Sequence, residues 1–169
     1  MGNAHAAKGD LRAAQEAFAK AIEADPKFTP GRVALGNVYN LEKKPEDAIK
    51  EFDAALTQNP RDQRAVTAKI ATLIQQERVD EAIAVAQAAV QTDPKSAAAH
   101  ELLGRLYALK RNTPAAEKAL TAALQLDERF VPARLTLARL AVANGKPADA
   151  VPQLQRVLKE AAEQHAPPP

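Results

Sequence analysis

Three prolines of this chain stand 34 residues apart, at Pro26, Pro60 and Pro94. Each follows an aspartate or asparagine and precedes a basic residue, and Glu128 takes the place of proline at the next step. Because a residue before proline avoids the helical region of backbone space, each such pair predicts the end of a helix. A fixed period of this length is typical of a solenoid, in which each repeat packs mainly on its neighbours.

Small and apolar residues keep the same register. One position holds alanine in every repeat: Ala14, Ala48, Ala82, Ala116 and Ala150. A second position holds Ala21, Ala55, Ala89, Ala123 and Val157. Within a repeat the apolar residues fall at helical spacing, and the polar turn 42–45 separates two such stripes. The proline at the end of that turn can begin the next helix, so each repeat is predicted to be two antiparallel helices joined by tight turns.

A recurring set of residue types identifies the repeat. In repeat two the set is Leu35, Gly36, Tyr39, Ala48, Phe52, Ala55 and Pro60. In repeat four it is Leu103, Gly104, Tyr107, Ala116, Leu120 and Ala123. These residues resemble the tetratricopeptide signature of Leu-Gly, Tyr, Ala, Phe, Ala and Pro. The resemblance implies an all-α fold, a right-handed α-solenoid of about five helix–turn–helix repeats with the first one truncated.

The expected organisation is an array over residues 1–164 followed by a Pro-rich tail. The expected repeats are 1–28, 29–62, 63–96, 97–130 and 131–164, and the tail is 165–169. The apolar side chains of the last helix, expected from about Pro147 to Glu163, have no following helix to cover them. Since solenoids normally carry polar capping repeats, we expect the sequence to be a segment of a longer chain, or its ends to associate.

Two glycines lie inside predicted first helices, at Gly36 and Gly104. Glycine there costs about 1 kcal/mol relative to alanine, so its recurrence predicts a close helix crossing. The alanine column that begins at Ala14 is the expected counterpart. Repeat three has Ile70 and Ala86 where repeat two has glycine and phenylalanine, so its two helices are expected to cross less closely.

The sequence offers little for catalysis. There is no cysteine, and the three histidines lack metal-ligand spacing. The glycines are explained by repeat columns and turns, not by a phosphate-binding loop. The sequence therefore predicts that the chain is not an enzyme and uses no cofactor and no metal. No apolar run reaches the roughly 20 residues of a membrane span. The net charge is only +2 and the aromatic residues fall in repeat positions, which disfavours nucleic acid as a partner.

The resemblance also implies where a partner binds. In this family the first helix of each repeat lines the concave face, so the register places a partner-binding site at Asn3, Asn37, Asn40, Arg64, Thr67, Glu101, Arg105 and Arg139. Asparagine can hydrogen-bond a peptide backbone, and arginine can bind carboxylates with two parallel hydrogen bonds. The expected partner is a protein or peptide, with an acidic segment as one possibility.

A second basic column follows the ends of the second helices: Lys27, Arg61, Lys95 and Arg129. Cations there can simply complement the negative end of a helix. They can also join Arg64, Arg105 and Arg139 in a basic groove that binds an acidic segment.

Three functions remain open. The leading one is a scaffold or adaptor that binds a partner in its concave groove. The alternatives are self-assembly through uncovered terminal helices and the targeting domain of a larger enzyme. The alanine- and proline-rich style resembles bacterial members of the family, and the sequence leaves cytoplasm and periplasm both open.

Overall fold

The computed structural model describes residues 10–165; residues 1–9 and 166–169 lie outside the description. Over that range the chain forms nine helices and no strand. They are α1 (Leu11–Ala24), α2 (Thr29–Leu41), α3 (Pro45–Gln58), α4 (Gln63–Gln75), α5 (Val79–Thr92), α6 (Ala97–Leu109), α7 (Thr113–Leu126), α8 (Val131–Ala143) and α9 (Pro147–His165). The all-α prediction is confirmed.

The chain divides into two compact units, Met1–Thr92 and Asp93–Pro169. In the first unit, helices that follow one another from α1 to α5 pack together, and α2 also contacts α4. In the second unit, α6 to α9 pack in the same order, and α6 also contacts α8. Within each unit, successive first helices are therefore neighbours and share one face. None of the helices formed by residues 10–165 has the length and hydrophobicity that crossing a bilayer requires.

The helix ends follow from the local sequence. The side chains of Asp10, Asp62, Ser96 and Asn112 accept hydrogen bonds from backbone N–H groups in the first turn. Acidic residues occupy the first turns of α3 and α5, where they complement the positive end of the helix dipole. Helices α1, α3 and α7 end before an extended aspartate or asparagine, as the period of the chain predicted.

The turn inside each repeat has a feature that the sequence analysis missed. Lys43, Glu77 and Arg111 have φ of 60°, 59° and 57°, and Gly145 has φ of 71° at the next step of the period. This left-handed conformation ends the first helix and reverses the chain. A residue other than glycine is strained there by roughly 1–2 kcal/mol, so three repeats retain the turn geometry without its preferred residue.

Close helix crossings at the two glycines are confirmed, and a large residue of the second helix lies at each of them. The expected alanine counterpart also stands at Gly104, where an added Cβ atom would lie 3.3 Å from the carbonyl oxygen of Ala116. A Cβ atom on Gly36 would lie 2.4 Å from Cε1 of Phe52, and one on Gly104 would lie 2.6 Å from Cγ of Leu120. The large residue of the second helix therefore fills the space above each glycine. The alanine column, with Ala48 and Ala116 both completely buried, lets the helix backbones approach beside it.

Repeat three reverses this arrangement. Ile70 and Ala86 are both buried, so the large side chain comes from the first helix and the small one from the second. Helices α4 and α5 approach each other at fewer positions than α2 and α3 do. The looser crossing predicted for this repeat is confirmed.

Candidate functional site

One register column is exposed on the first helix of each repeat in the described range. Asn37, Ala71, Arg105 and Arg139 are exposed, whereas the residues immediately before and after each of them are buried. The buried neighbours fix the helix rotation, because they belong to the core between the two helices of a repeat. The side chains of this column therefore face solvent on the side of the first helices.

Asn40 lies one helical turn after Asn37 and is half-buried. Its amide Nδ2 donates to Thr72 Oγ1 at 2.7 Å, and Thr72 Oγ1 donates to the carbonyl of Ala68 at 2.9 Å. The bond joins α2 to α4 and holds the Asn40 side chain in place. A fixed Asn40 can offer its carbonyl oxygen to a ligand. Thr67, on the same helix as Thr72, is exposed.

The Arg64 side chain is 65% exposed but already has a partner. Its Nε and Nη2 donate to the carboxylate of Asp62 at 3.3 Å and 3.2 Å. Burial alone would raise the pKa of the Asp62 carboxyl, but the side-chain hydrogen bond from Arg64 and the backbone N–H groups of Ala65 and Arg64 outweigh it, so the pKa is lowered. Asp62 thus caps α4 and orients Arg64 at the same time.

Asp62→Asn is expected to flatten the acid side of the stability profile. The folded-state pKa of Asp62 is lowered, so its contribution to stability is fully present above the unfolded value of 3.8 and is lost as pH falls through the folded value. Urea unfolding of both proteins over a pH series measures this. Glu117→Gln, which removes the same charge from an exposed position on α7 beyond its first turn, is the control. Equal flattening in the control would contradict the assignment.

Glu101 is 7% exposed and does not lie open on the surface. Its Oε1 accepts a hydrogen bond from Thr136 Oγ1 at 2.9 Å, which joins α6 to α8. Its Oε2 lies 3.9 Å from Nη1 of Arg105, whose side chain is 58% exposed. Glu101 therefore links two helices of its unit, and Arg105 is the member of this pair that reaches solvent.

Arg139 has a different setting from Arg105. Leu135 stands at the register of Glu101, so Arg139 lacks the carboxylate that Arg105 has one turn before it on its own helix. Beside it lies a cavity of about 370 Å³ lined by Leu135, Ala138, Arg139, Val142, Ala143, Ala150 and Leu154. The cavity is apolar except for the arginine, so it suits aliphatic side chains.

The remaining predicted positions are Asn3 and the basic column of the inter-repeat turns. Asn3 lies outside the described residues. The basic column Lys27, Arg61, Lys95 and Arg129 is exposed in the inter-repeat turns, and Nη2 of Arg129 lies 3.9 Å from Glu163.

A set of carbonyl contacts was missed by the sequence analysis. Arg32, His100 and Arg134 occupy one register position and contact the carbonyl oxygens of Pro26, Pro94 and Glu128. Each contact fastens a first helix to the turn that precedes it. The period of 34 residues could have revealed the set, because all three side chains can donate a hydrogen bond.

The chain matches the sequence model of the tetratricopeptide repeat over residues 5–72, 39–106, 73–122 and 109–166. It is 33% identical to anaphase-promoting complex subunit 7 of Arabidopsis thaliana over 156 residues, which cover 91% of this chain and 28% of the plant protein. The chain thus spans less than a third of that relative.

Solved structures show the same fold. The segment of MamA from position 41 to its end, from Desulfovibrio magneticus RS-1, superposes with a TM-score of 0.72 at 19% identity, covering 98% of this chain and 93% of the solved segment. YrrB, described as a tetratricopeptide protein with an unusual peptide-binding site, superposes with a TM-score of 0.63 at 19% identity, covering 94% of this chain and 81% of YrrB. Because the family's sequence model matches most of the chain, and the solved structures share its fold, the chain belongs to the tetratricopeptide repeat family.

Proposed function

We propose that this chain is a scaffold or adaptor that binds a protein or peptide partner along its first helices. The observation that carries the proposal is the exposed column that begins at Asn37. The residues on either side of each member are buried, so the exposed side chains contribute little to the core. Polar and charged side chains held on rigid helices form an interaction surface whose geometry does not depend on loops.

The two units offer different chemistry to a partner. In the first unit the exposed residues are Asn37 and Thr67, and the half-buried Asn40 can add its carbonyl oxygen; these groups suit a peptide backbone. In the second unit they are the guanidinium groups of Arg105 and Arg139, which suit carboxylates. We infer that the segment of the partner that meets the second unit is acidic.

Two further assignments belong to this proposal. Arg64 contributes through its exposed side chain, and Glu101 contributes indirectly by orienting Arg105. We also propose that the array runs over residues 1–164 as five repeats with a tail at 165–169, and that Asn3 belongs to the site by its register in the sequence. Proteins of this family are generally non-catalytic scaffolds, and the proposal assigns no reaction to the chain.

A capture experiment tests the surface. The chain and its Asn37→Ala/Arg105→Glu variant are used as baits in lysate of the source organism. Captured proteins should be lost from the variant, because both exposed side chains belong to the proposed surface. Since Arg105→Glu also places a carboxylate one turn from the buried Glu101, circular dichroism is used to show that the variant is folded. The matched control is Lys118→Glu/Gln125→Ala, which makes the same charge change at exposed positions of α7.

Binding of a captured partner should also weaken steeply with salt. Salt screens the attraction between exposed charges, with a screening length of about 8 Å at physiological ionic strength and a shorter one at higher salt. Binding between exposed arginines and carboxylates should therefore weaken as salt is added. Affinity measured by isothermal titration at rising sodium chloride reports this dependence. If both variants capture the same proteins as the unmodified chain, the first-helix surface is not the site. If the affinity does not depend on salt, the inference that the partner's segment is acidic is wrong, and the proposed site is unaffected.

A further inference from the structure

Two first helices, α2 and α6, end on an exposed leucine. Leu41 is 62% exposed and Leu109 is 55% exposed, and the two leucines occupy the same register of the period. Each follows an exposed member of the binding column by four residues, Asn37 in the first unit and Arg105 in the second. Residues four apart on a helix are neighbours on one face. In both units an apolar side chain therefore stands beside a polar group of the proposed site.

Folding does not require leucine at this register. The other first helix of the first unit, α4, ends on Gln75 at the same position, and Gln75 is exposed. A polar side chain of similar length is thus accommodated where two repeats hold leucine. A leucine left in water adds little to the fold, whereas a partner that covers it removes apolar area from water. The leucines are therefore better explained by binding than by folding.

The charges around Leu109 are positive. Four exposed cations lie on α6, in the turn that follows it and on the neighbouring α8: Arg105, Lys110, Arg111 and Arg139. The two cations in the turn also complement the negative end of α6. Glu101 is the only acidic residue of α6 and α8, and it is buried. Glu117, the next carboxylate along the chain, lines a separate groove with Asn144 and Gln153. The surface around Leu109 therefore combines an apolar contact with attraction for carboxylates.

We propose that the acidic segment bound by the second unit carries an apolar side chain that packs on Leu109 while a carboxylate binds Arg105. Four residues of an α-helix advance by about 6 Å, and two residues of an extended chain advance by about 6–7 Å. An extended segment that alternates an acidic residue, any residue and an apolar residue places both side chains on one face at this spacing. This inference rests on the proposed function and adds the sequence pattern that the site recognises.

A nuclear magnetic resonance titration of the isotope-labelled chain with two synthetic peptides tests the pattern. One peptide repeats Asp-Ser-Leu-Ser, and the other repeats Asp-Ser-Ser-Ser, which has the same charge. The chain should bind the leucine peptide about tenfold more tightly, a difference of about 1.4 kcal/mol. Leu109→Gln, which installs the residue type that Gln75 supplies in repeat three, should bind the two peptides equally.

Two further variants serve as controls, and circular dichroism verifies that each is folded. Leu126→Gln makes the same change at a leucine of α7 that is 42% exposed, and it should keep the preference for the leucine peptide. Arg105→Glu should weaken the binding of both peptides, because both carry the carboxylates. Equal affinities of the unmodified chain for the two peptides would overturn the proposal. So would a preference that survives Leu109→Gln, or the absence of binding by either peptide.

Failure of this inference can be told apart from failure of the proposed function. Proteins captured by the chain, lost from Asn37→Ala/Arg105→Glu and fully retained by Leu109→Gln would leave the scaffold function in place and reject the apolar contact. Proteins captured equally by all three baits would reject the first-helix surface itself.

Discussion

Phe52→Ala should lower the free energy of unfolding by about 3–5 kcal/mol, the range for truncating a buried phenylalanine. Phe52 is completely buried, and its ring fills the space directly above Gly36. Removing the ring leaves a cavity between α2 and α3. Protein interiors are close-packed, so the surrounding helices can close that space only in part. Urea unfolding followed by circular dichroism measures the loss.

The neighbouring repeat suggests how the loss can be reversed. Gly36→Ile alone should overpack the crossing by about 1–3 kcal/mol, because its Cβ would stand 2.4 Å from the Phe52 ring. Repeat three already carries Ile70 and Ala86 at the same two register positions, both buried. Gly36→Ile combined with Phe52→Ala reproduces that arrangement. The double variant should therefore be less destabilised than the sum of the two single variants.

Leu120→Ala combined with Gly36→Ile provides the control. Leu120 fills the corresponding space over Gly104, in the other compact unit of the chain. Effects of sites without shared contacts usually add within about 0.5 kcal/mol. Additive effects for Gly36 with Phe52 as well would show that the two residues do not share one space, and the proposed exchange of size between helices would be wrong.

The period of the sequence predicted the helices because two independent signals agree. Apolar columns set the helical faces, and the residue before each of Pro26, Pro60 and Pro94 ends a helix. The left-handed turn residues escaped prediction because three of the four are not glycine. Lys43, for example, has φ of 60°, and nothing in its side chain signals that conformation. Tertiary contacts between the two helices override its local preference.

The candidate site shows the same division. Exposure at Asn37, Arg105 and Arg139 follows from register alone, because the column is fixed by the buried residues beside it. The burial of Glu101 does not follow from register. It depends on Thr136, a residue 35 positions away that donates to its carboxylate. Pairing between side chains that are distant in sequence has no periodic signal, so only a structure reveals it.

Arg134→Met should cost about 3–5 kcal/mol, the range for removing one partner of a buried ion pair. The side chains of Arg134 and Glu160 are 10% and 5% exposed, with Nη2 and Oε1 separated by 3.9 Å. Arg134 also donates to the Glu128 carbonyl and to Gln153 Oε1. Removing it frees the turn before α8 and leaves the Glu160 carboxylate buried with one cation fewer. Oε1 of Glu160 then keeps only the hydrogen bond from Nε of Arg156 at 2.8 Å, and Oε2 has no hydrogen-bond partner among the described residues.

Removing both charges should restore most of the stability. Buried ion pairs replaced by apolar residues of similar volume are often neutral or stabilising, so Arg134→Met/Glu160→Met should be far less destabilised than Arg134→Met alone. Since each repeat is stabilised by its neighbours, the loss in the single variant should concentrate in α8 and α9. Hydrogen exchange of the amides in Val131–Ala143 and Pro147–His165 locates it. A double variant as unstable as the single one would mean that Arg134 acts through its contacts with Glu128 and Gln153, not through the buried charge.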